Sequence, residues 1–498
     1  MKIVIVGGGT AGWVTAAMIY KYRTDIQVTV VESSKLPIIG AGEGSADSLT
    51  WFINEPWPND IVNEMDFLRK TKATPKLAIN LKNWKGDGST LYSPLHLSGT
   101  SLLPVDKLFL ASILKYGKSD KASLNSWILD DNLSTFDKKY NKLNPQIANH
   151  AYHFDGNAIG QYFKDVCIKF GVTIIDAEVE DLVFDENENL KDVKLTNGEI
   201  LQSDLWIDST GFNRALMSKT KNKWVSFKEQ LPVNGAIPFS TDISSLNVRF
   251  ETSAETMNSG WLWKIPTQER YGCGYVYCDG FQTYDESISE IKNKFKKDIE
   301  PIKHIKFDCG RYENTWYKNI VSIGLSSHFL EPLQATSIHI AIFTATNLVL
   351  HSLKDKESLL NTANVNGFNN RINFVIDDYK DLLQMHYLSG RQDTPFWKFA
   401  KNEIKVSDYN KELIEISKCR LLNNLDISQQ HGTAGWGTWS HILDNAGLFN
   451  KDMVKKELSK LKKLNDGDMQ LNSLSMYYNS RIKNELASAG ELFKYLKL

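Results

Sequence analysis

The sequence predicts an α/β protein with a Rossmann-like dinucleotide-binding domain, an interleaved β-rich substrate domain and a mainly helical C-terminal region. Three observations predict it. The apolar stretch Lys2–Val6 runs into the glycine turn Gly7-Gly8-Gly9-Thr10-Ala11-Gly12 and then into helix-forming residues from Trp13 to Tyr22. A β-branched stretch, Val28–Val31, follows and ends on Glu32, completing the strand–turn–helix–strand opening of a parallel βαβ unit. Farther on, β-formers and aromatics crowd Asn234–Cys278, whereas helical patterns dominate from Glu357 onward.

The remaining elements follow in order. Strands are expected over Val172–Val183 and Leu190–Thr196, with Glu186-Asn187-Glu188-Asn189 as a polar turn. Leu205–Asp208 is a strand that ends in a second glycine signal, Ser209-Thr210-Gly211. Asn319–Gly324 is a strand again, and Ala335–Leu353 is a helix. The strands of the first domain lie far apart, so that domain is discontinuous, comprising 1–95, 150–220 and 310–355. The substrate-binding region takes 96–149 and 221–309, and the helical region takes 356–498. Near the end, Lys455–Lys463 alternates charge and Leu as a solvated surface helix does.

Composition narrows the function classes. The 498 residues carry 58 Lys and Arg against 59 Asp and Glu, a net charge of -1, so no overall field favours nucleic acid or an anionic membrane. No run of about 18 apolar residues suggests a membrane span. The N-terminal apolar stretch is too short for a secretory signal. Five scattered cysteines form no metal-ligand pattern, and a reduced cytoplasmic setting is expected. The 13 Trp and 23 Phe imply large aromatic cores or pockets.

Gly7-x-Gly9-x-x-Gly12 has a physical reason at each glycine: the turn, the approach of a pyrophosphate, and close helix–strand packing. The following helix N-terminus offers free N–H groups to an anion. Glu32, twenty residues past Gly12, can accept ribose hydroxyl protons. The long middle region and the second glycine signal at Asp208–Gly211 favour FAD over a nicotinamide cofactor. With one complete fingerprint, the reductant must come from a separate flavin reductase.

Four motifs then give the chain a resemblance. They are Gly7–Trp13; Gly40-Ala41-Gly42-Glu43-Gly44; Gly260-Trp261-Leu262-Trp263-Lys264-Ile265-Pro266, which carries W-x-W-x-I-P; and Ile323–Ile338. His386-Tyr387 and Asp393-Thr394-Pro395-Phe396-Trp397 add to them. The sequence resembles flavin-dependent halogenases of the tryptophan/indole type, as a divergent member. The resemblance implies that reduced FAD and oxygen oxidise a halide to hypohalous acid, which passes through the protein to a lysine beside an electron-rich aromatic substrate. The matched lysine is Lys76. The resemblance also implies that Trp261, Trp263 and Pro266 form a gate beside the flavin that keeps the organic substrate away, and that Thr336 and Ser337 bind halide at a helix start. Fingerprint and resemblance together imply FAD contacts from Gly7, Gly8, Gly9, Thr10, Ala11, Gly12, Glu32, Ser33, Leu36, Ala41, Glu43, Gly44, Val179, Asp208, Gly211, Gly324, Leu325 and Ile338. By local pattern alone, Lys76 reads as a surface lysine on a strand, Trp261 and Trp263 as core aromatics, and Thr336 or Ser337 as an N-cap.

Two departures stand out. Gln334 occupies the position of the family's active-site glutamate, and an amide hydrogen-bonds but does not act as a base near neutral pH. Tyr92-Ser93-Pro94-Leu95 replaces the Tyr-His-Pro-Phe segment that sandwiches indole in tryptophan halogenases, which points to a less selective indole- or phenol-like substrate. The alternatives are a flavin-dependent aromatic monooxygenase and, further off, a non-enzymatic binding protein on the flavoprotein fold. The oligomeric state is left open, a homo-oligomer being common among relatives.

Overall fold

The computed structural model describes residues 1–36, 42–95, 105–244, 248–428, 432–460 and 464–497. Its first layer is a six-stranded sheet in the order Thr173–Asp176, Gln27–Glu32, Lys2–Val6, Leu205–Asp208, Ile320–Ser322, Trp316–Tyr317. All neighbours are parallel except the last pair. The central strands are near-continuous apolar runs because both faces are covered. One cover is the helix Thr10–Tyr22, which buries Trp13, Val14, Ala16, Ala17, Met18 and Ile19. The register sets Val6 beside Val31 and Asp208, so three strands end together at one crevice. The expected Val172–Val183 strand is broken at Ala177: Thr173–Asp176 joins this sheet, while Val179–Phe184 leaves to pair with Leu190–Leu195.

The second layer is a seven-stranded sheet in the order Ile305–Lys306, Gly235–Asp242, Arg270–Tyr277, Gly260–Pro266, Glu251–Met257, Ala78–Lys82, Thr90–Pro94. Ala78–Lys82 pairs in parallel with Glu251–Met257. Residues 78–94 therefore lie in the β-rich sheet rather than with the dinucleotide-binding strands, where the sequence had put them. The segment after residue 104 also differs from expectation. Phe109, Leu110 and Ile113 of the helix Val105–Tyr116 form a cluster with Leu421, Met453 and Val454, and the strand Leu133–Asp137 pairs with Leu486–Ser488. That region belongs to the C-terminal helical body, because its apolar face is completed there.

The expected helix from Ala335 to Leu353 is an α-helix over Thr336–Thr346 that widens into a π-helical turn over Asn347–Ser352. The stretch Leu333–Ser352 is long and apolar enough to cross a membrane by length and composition, but two-thirds of its most apolar window is buried inside the protein, as in a core helix. The surface helix near the end spans Lys451–Lys460, and residues 461–463 lie outside the described residues. The cysteines are all free thiols, and the described residues contain no metal-binding cluster.

Candidate active site

The three fingerprint glycines divide their work by geometry. Gly7 has φ +116°, in the region that favours glycine, and a Cβ there would lie 2.4 Å from the Ser209 carbonyl oxygen. A Cβ on Gly12 would lie 2.1 Å from the Gly7 oxygen, so Gly12 serves packing and does not face the cavity. Gly9 meets nothing within 4 Å: its bare Cα opens on a cavity of about 1400 Å³. It is also the N-cap of Thr10–Tyr22, with no side chain capping the helix, so the first N–H groups are free to meet an anion.

Most of the expected cofactor residues border this one cavity. Gly7, Gly8, Gly9, Thr10 and Ala11 line it, together with Glu32, Ser33, Leu36 and Val179. Glu43, Gly44, Gly211, Gly324, Leu325 and Ile338 also line it. Ala41 lies outside the described residues. Asp208 is fully buried and does not reach the cavity. Its carboxylate accepts from Thr210 N and Oγ1 and from the backbone N–H groups of Leu216 and Met217, so it shapes the loop before Gly211 instead of touching a ligand. Glu32 accepts from Trp13 Nε1 at 3.2 Å and is paired with Lys164, a lining residue with no sequence signal of its own.

Lys76 reaches the same cavity from a separate three-stranded sheet of Glu43–Gly44, Ala151–Phe154 and Thr74–Lys76. It is 1% exposed, contrary to the surface position that strand alternation suggested. Its Nζ donates to the Ser45 carbonyl at 2.9 Å. Burial alone lowers its pKa from 10.5 to about 7, which brings the neutral amine within the physiological range. Nζ and the Ala335 methyl both approach the bare Cα of Gly44, at 3.4 and 3.7 Å from where a Cβ would stand.

Trp261 and Trp263 line the cavity wall, 6.2 Å apart between ring centroids. Pro266 does not face the cavity, and its carbonyl accepts from Thr74 Oγ1 at 2.8 Å. Trp261 Nε1 donates at 3.1 Å to Glu331, which also accepts from Tyr387 OH. Burial raises the Glu331 carboxyl to about 7.

The segment after Glu331 is unusual in its backbone. Gln334 (φ 71°) and Ala335 (φ 56°) are successive non-glycine residues in the left-handed region, a conformation that costs of order 1–3 kcal/mol each. Gln334 lines the cavity and its side-chain amide meets His386 Nε2 at 3.0 Å. Ala335 is the N-cap of the helix Thr336–Thr346, so neither Thr336 nor Ser337 caps it. Ser337 lines the cavity, whereas Thr336 is 1% exposed with its hydroxyl unpartnered.

A parallel sheet with a glycine turn and an acid at its strand ends, opening on a cavity this large, defines a dinucleotide-dependent enzyme. Comparison makes the class specific. The tryptophan halogenase family model matches residues 2–452. The chain is 31% identical over 461 residues to the tryptophan 7-halogenase RebH of Lentzea aerocolonigenes, covering 86% of this chain and 83% of that one. It is 30% identical over 452 residues to the tryptophan 6-halogenase ThaL of Streptomyces albogriseolus, covering 86% and 84%. Among solved structures, the tryptophan C-6 flavin-dependent halogenase Tar14 from taromycin biosynthesis superposes with a TM-score of 0.88 at 26% identity, with both chains fully covered. The chain belongs to the tryptophan halogenase family. It is a flavin-dependent enzyme, with reduced FAD as cofactor and halide as co-substrate. The open Gly9 cradle, the uncapped helix start and Glu32 at the strand end fit FAD.

Proposed function

We propose that the enzyme halogenates an indole-like or otherwise electron-rich aromatic small molecule at Lys76. The reading rests on one observation above all: a fully buried lysine amine opens on the same cavity as the glycine turn, with the two tryptophans on the wall. FAD, when bound and reduced, supplies with oxygen the two-electron oxidation of halide to hypohalous acid. The residues do the rest. The N–H groups of Gly9–Gly12 take the pyrophosphate and Glu32 a ribose, while Trp261 and Trp263 bar the aromatic substrate from the flavin side. The neutral Lys76 amine attacks the halogen of the hypohalous acid; an N–halogen bond forms, the halogen–oxygen bond breaks, and water leaves. The substrate ring then takes the halogen and the amine is restored. Ser337 N–H and its neighbour at the helix start hold the halide.

A separate flavin reductase feeds the site. The broad substrate class follows from Tyr92-Ser93-Pro94-Leu95. The test supplies reduced FAD, oxygen, bromide and indole and measures product mass. Bromoindole is expected with the wild type and not with Lys76→Ala. Equal bromination by both removes Lys76 from the mechanism, and a bromide-independent gain of oxygen makes the enzyme a hydroxylase.

A further inference from the structure

Halogen transfer leaves a proton on the substituted ring carbon, and Gln334, as an amide, cannot take it as a base. Another acceptor lies behind the lining residue Thr252. His153 is fully buried on the strand Ala151–Phe154, in register with Gly44 on one side and Thr74 on the other. Its ring approaches the same point over Gly44 as Lys76 Nζ, at 3.7 Å against 3.4 Å.

The hydrogen bonds fix its tautomer. Thr74 spends its only hydroxyl proton on the Pro266 carbonyl at 2.8 Å. Toward His153 Nδ1, at 3.4 Å, the Thr74 oxygen is therefore an acceptor, so Nδ1 carries the hydrogen. Nε2 is then the bare nitrogen and accepts from Thr252 Oγ1 at 2.8 Å. Thr252 lines the cavity beside Ile79 and Ile265, and its oxygen lone pairs remain for a ligand. Burial, and next the charge of Lys76, hold the imidazole pKa well below its usual value, so the ring is neutral and ready to accept. Glu43 also lines the cavity, but it is the neighbour of Gly44 on a strand and so points to the opposite face of this small sheet, over Gly156.

We infer that Thr252 and His153 form the proton exit of the halogenation step. This rests on the reading of Lys76 above. The ring carbon–hydrogen bond breaks, its electron pair restores aromaticity, and the proton goes to Thr252 Oγ1. The Thr252 hydroxyl proton passes to His153 Nε2 in the same motion. A protonated ring carbon is a far stronger acid than imidazolium, so even a base of lowered pKa receives it. The Lys76 nitrogen keeps the electron pair of the broken N–halogen bond and takes one proton in exchange, which the imidazolium gives back through Thr252 and the water released from hypohalous acid, so that neutral amine and neutral imidazole are both restored.

The test compares bromination of indole and of ring-perdeuterated indole, with reductase supplied. In the wild type, proton loss is fast and no primary deuterium isotope effect is expected. Thr252→Val lowers product formation by about 100-fold, the lower end of what a positioned base contributes, and reveals an isotope effect. Thr252→Ser recovers the rate and abolishes the effect, as does Gln334→Glu in the Thr252→Val background, which returns a carboxylate base. A valine variant as fast as wild type, with no isotope effect, overturns the proposal. A wild type that makes no bromoindole overturns instead the reading beneath it. A second measurement needs no turnover: nitrogen NMR of histidine-labelled apoprotein, with His153→Gln for assignment. Hydrogen on His153 Nδ1, with an Nε2 signal that moves in Thr252→Val, supports the route; hydrogen on Nε2 overturns it.

Discussion

The Gln334 side-chain amide donates to His386 Nε2 across 3.0 Å, from a residue whose backbone sits at φ 71°. An amide nitrogen only donates, so His386 is the acceptor, and the Gln334 carbonyl oxygen is the group left for the cavity. Three positions upstream, Glu331 accepts from Tyr387 OH, the residue next to His386. Adjacent residues at the end of the long helix Thr362–Tyr387 thus pin both ends of the turn that leads into the helix Thr336–Thr346.

Gln334→Glu changes that contact in a defined way. Burial holds His386 at about 3, and a facing carboxylate raises it by favouring the imidazolium. Because proton loss is already fast in the wild type, the variant is expected to keep the rate of bromination and to change its preference among chloride, bromide and iodide. Competition assays with mixed halides check this, and an unchanged preference means that the side chain at 334 does not act on the halide.

Lys76 gives a pH prediction. Halogenation by the neutral amine rises as pH increases through about 7 and then levels. Stability moves the same way. Between about 7 and 10.5 the unfolded chain binds this proton more than the folded one, so folding gains stability as pH rises across that window. Lys76→Met is therefore more stable than wild type, by up to a few kcal/mol near neutrality, with the gap closing toward pH 10.5. Denaturant melts at several pH values measure it; a gap that does not shrink contradicts the burial argument.

The legible part of this molecule is local. The glycine turn, the strand before it and Glu32 are consecutive in the chain, and each carries its own chemistry. The burial of Lys76 runs against the pattern of its strand, because what covers it is Ser45 and the strand Ala151–Phe154, far away in sequence. His153, Thr252 and Lys164 had no local signature at all; only the pairing of distant strands gives them a partner. The domain borders failed at 78–94 for the same reason, since Ala78–Lys82 is chosen as a neighbour by Glu251–Met257 and nothing near it says so.

Glu331 provides a second titration, of opposite sense. Its folded value of about 7 lies above 4.5, so its contribution to stability is present in acid and is lost as pH rises through about 7. Glu331→Gln removes that dependence and gains up to about 3 kcal/mol on wild type above pH 7. Glu331→Leu instead strands the Trp261 indole N–H and the Tyr387 hydroxyl, at about 1–3 kcal/mol each. Thermal melts of both variants at pH 5 and 8 separate the two effects.

Gly9→Val tests the cradle. Nothing in the protein lies within 4 Å of the added Cβ, so the fold is kept, while the side chain occupies the path of the pyrophosphate. The expected result is a normal melting curve without flavin and no quenching of added FAD fluorescence. Wild-type quenching would show that the dinucleotide lies elsewhere.

The parallel pairing of Ala78–Lys82 with Glu251–Met257 has a consequence for biosynthesis. The strand that adjoins Lys76 leaves the ribosome well before its partner exists, and at about 5–20 residues per second it waits on the order of ten seconds or more. Through that interval its apolar edge is open to other nascent chains, so slower translation or scarce chaperones should lower the yield of this enzyme before they touch its chemistry.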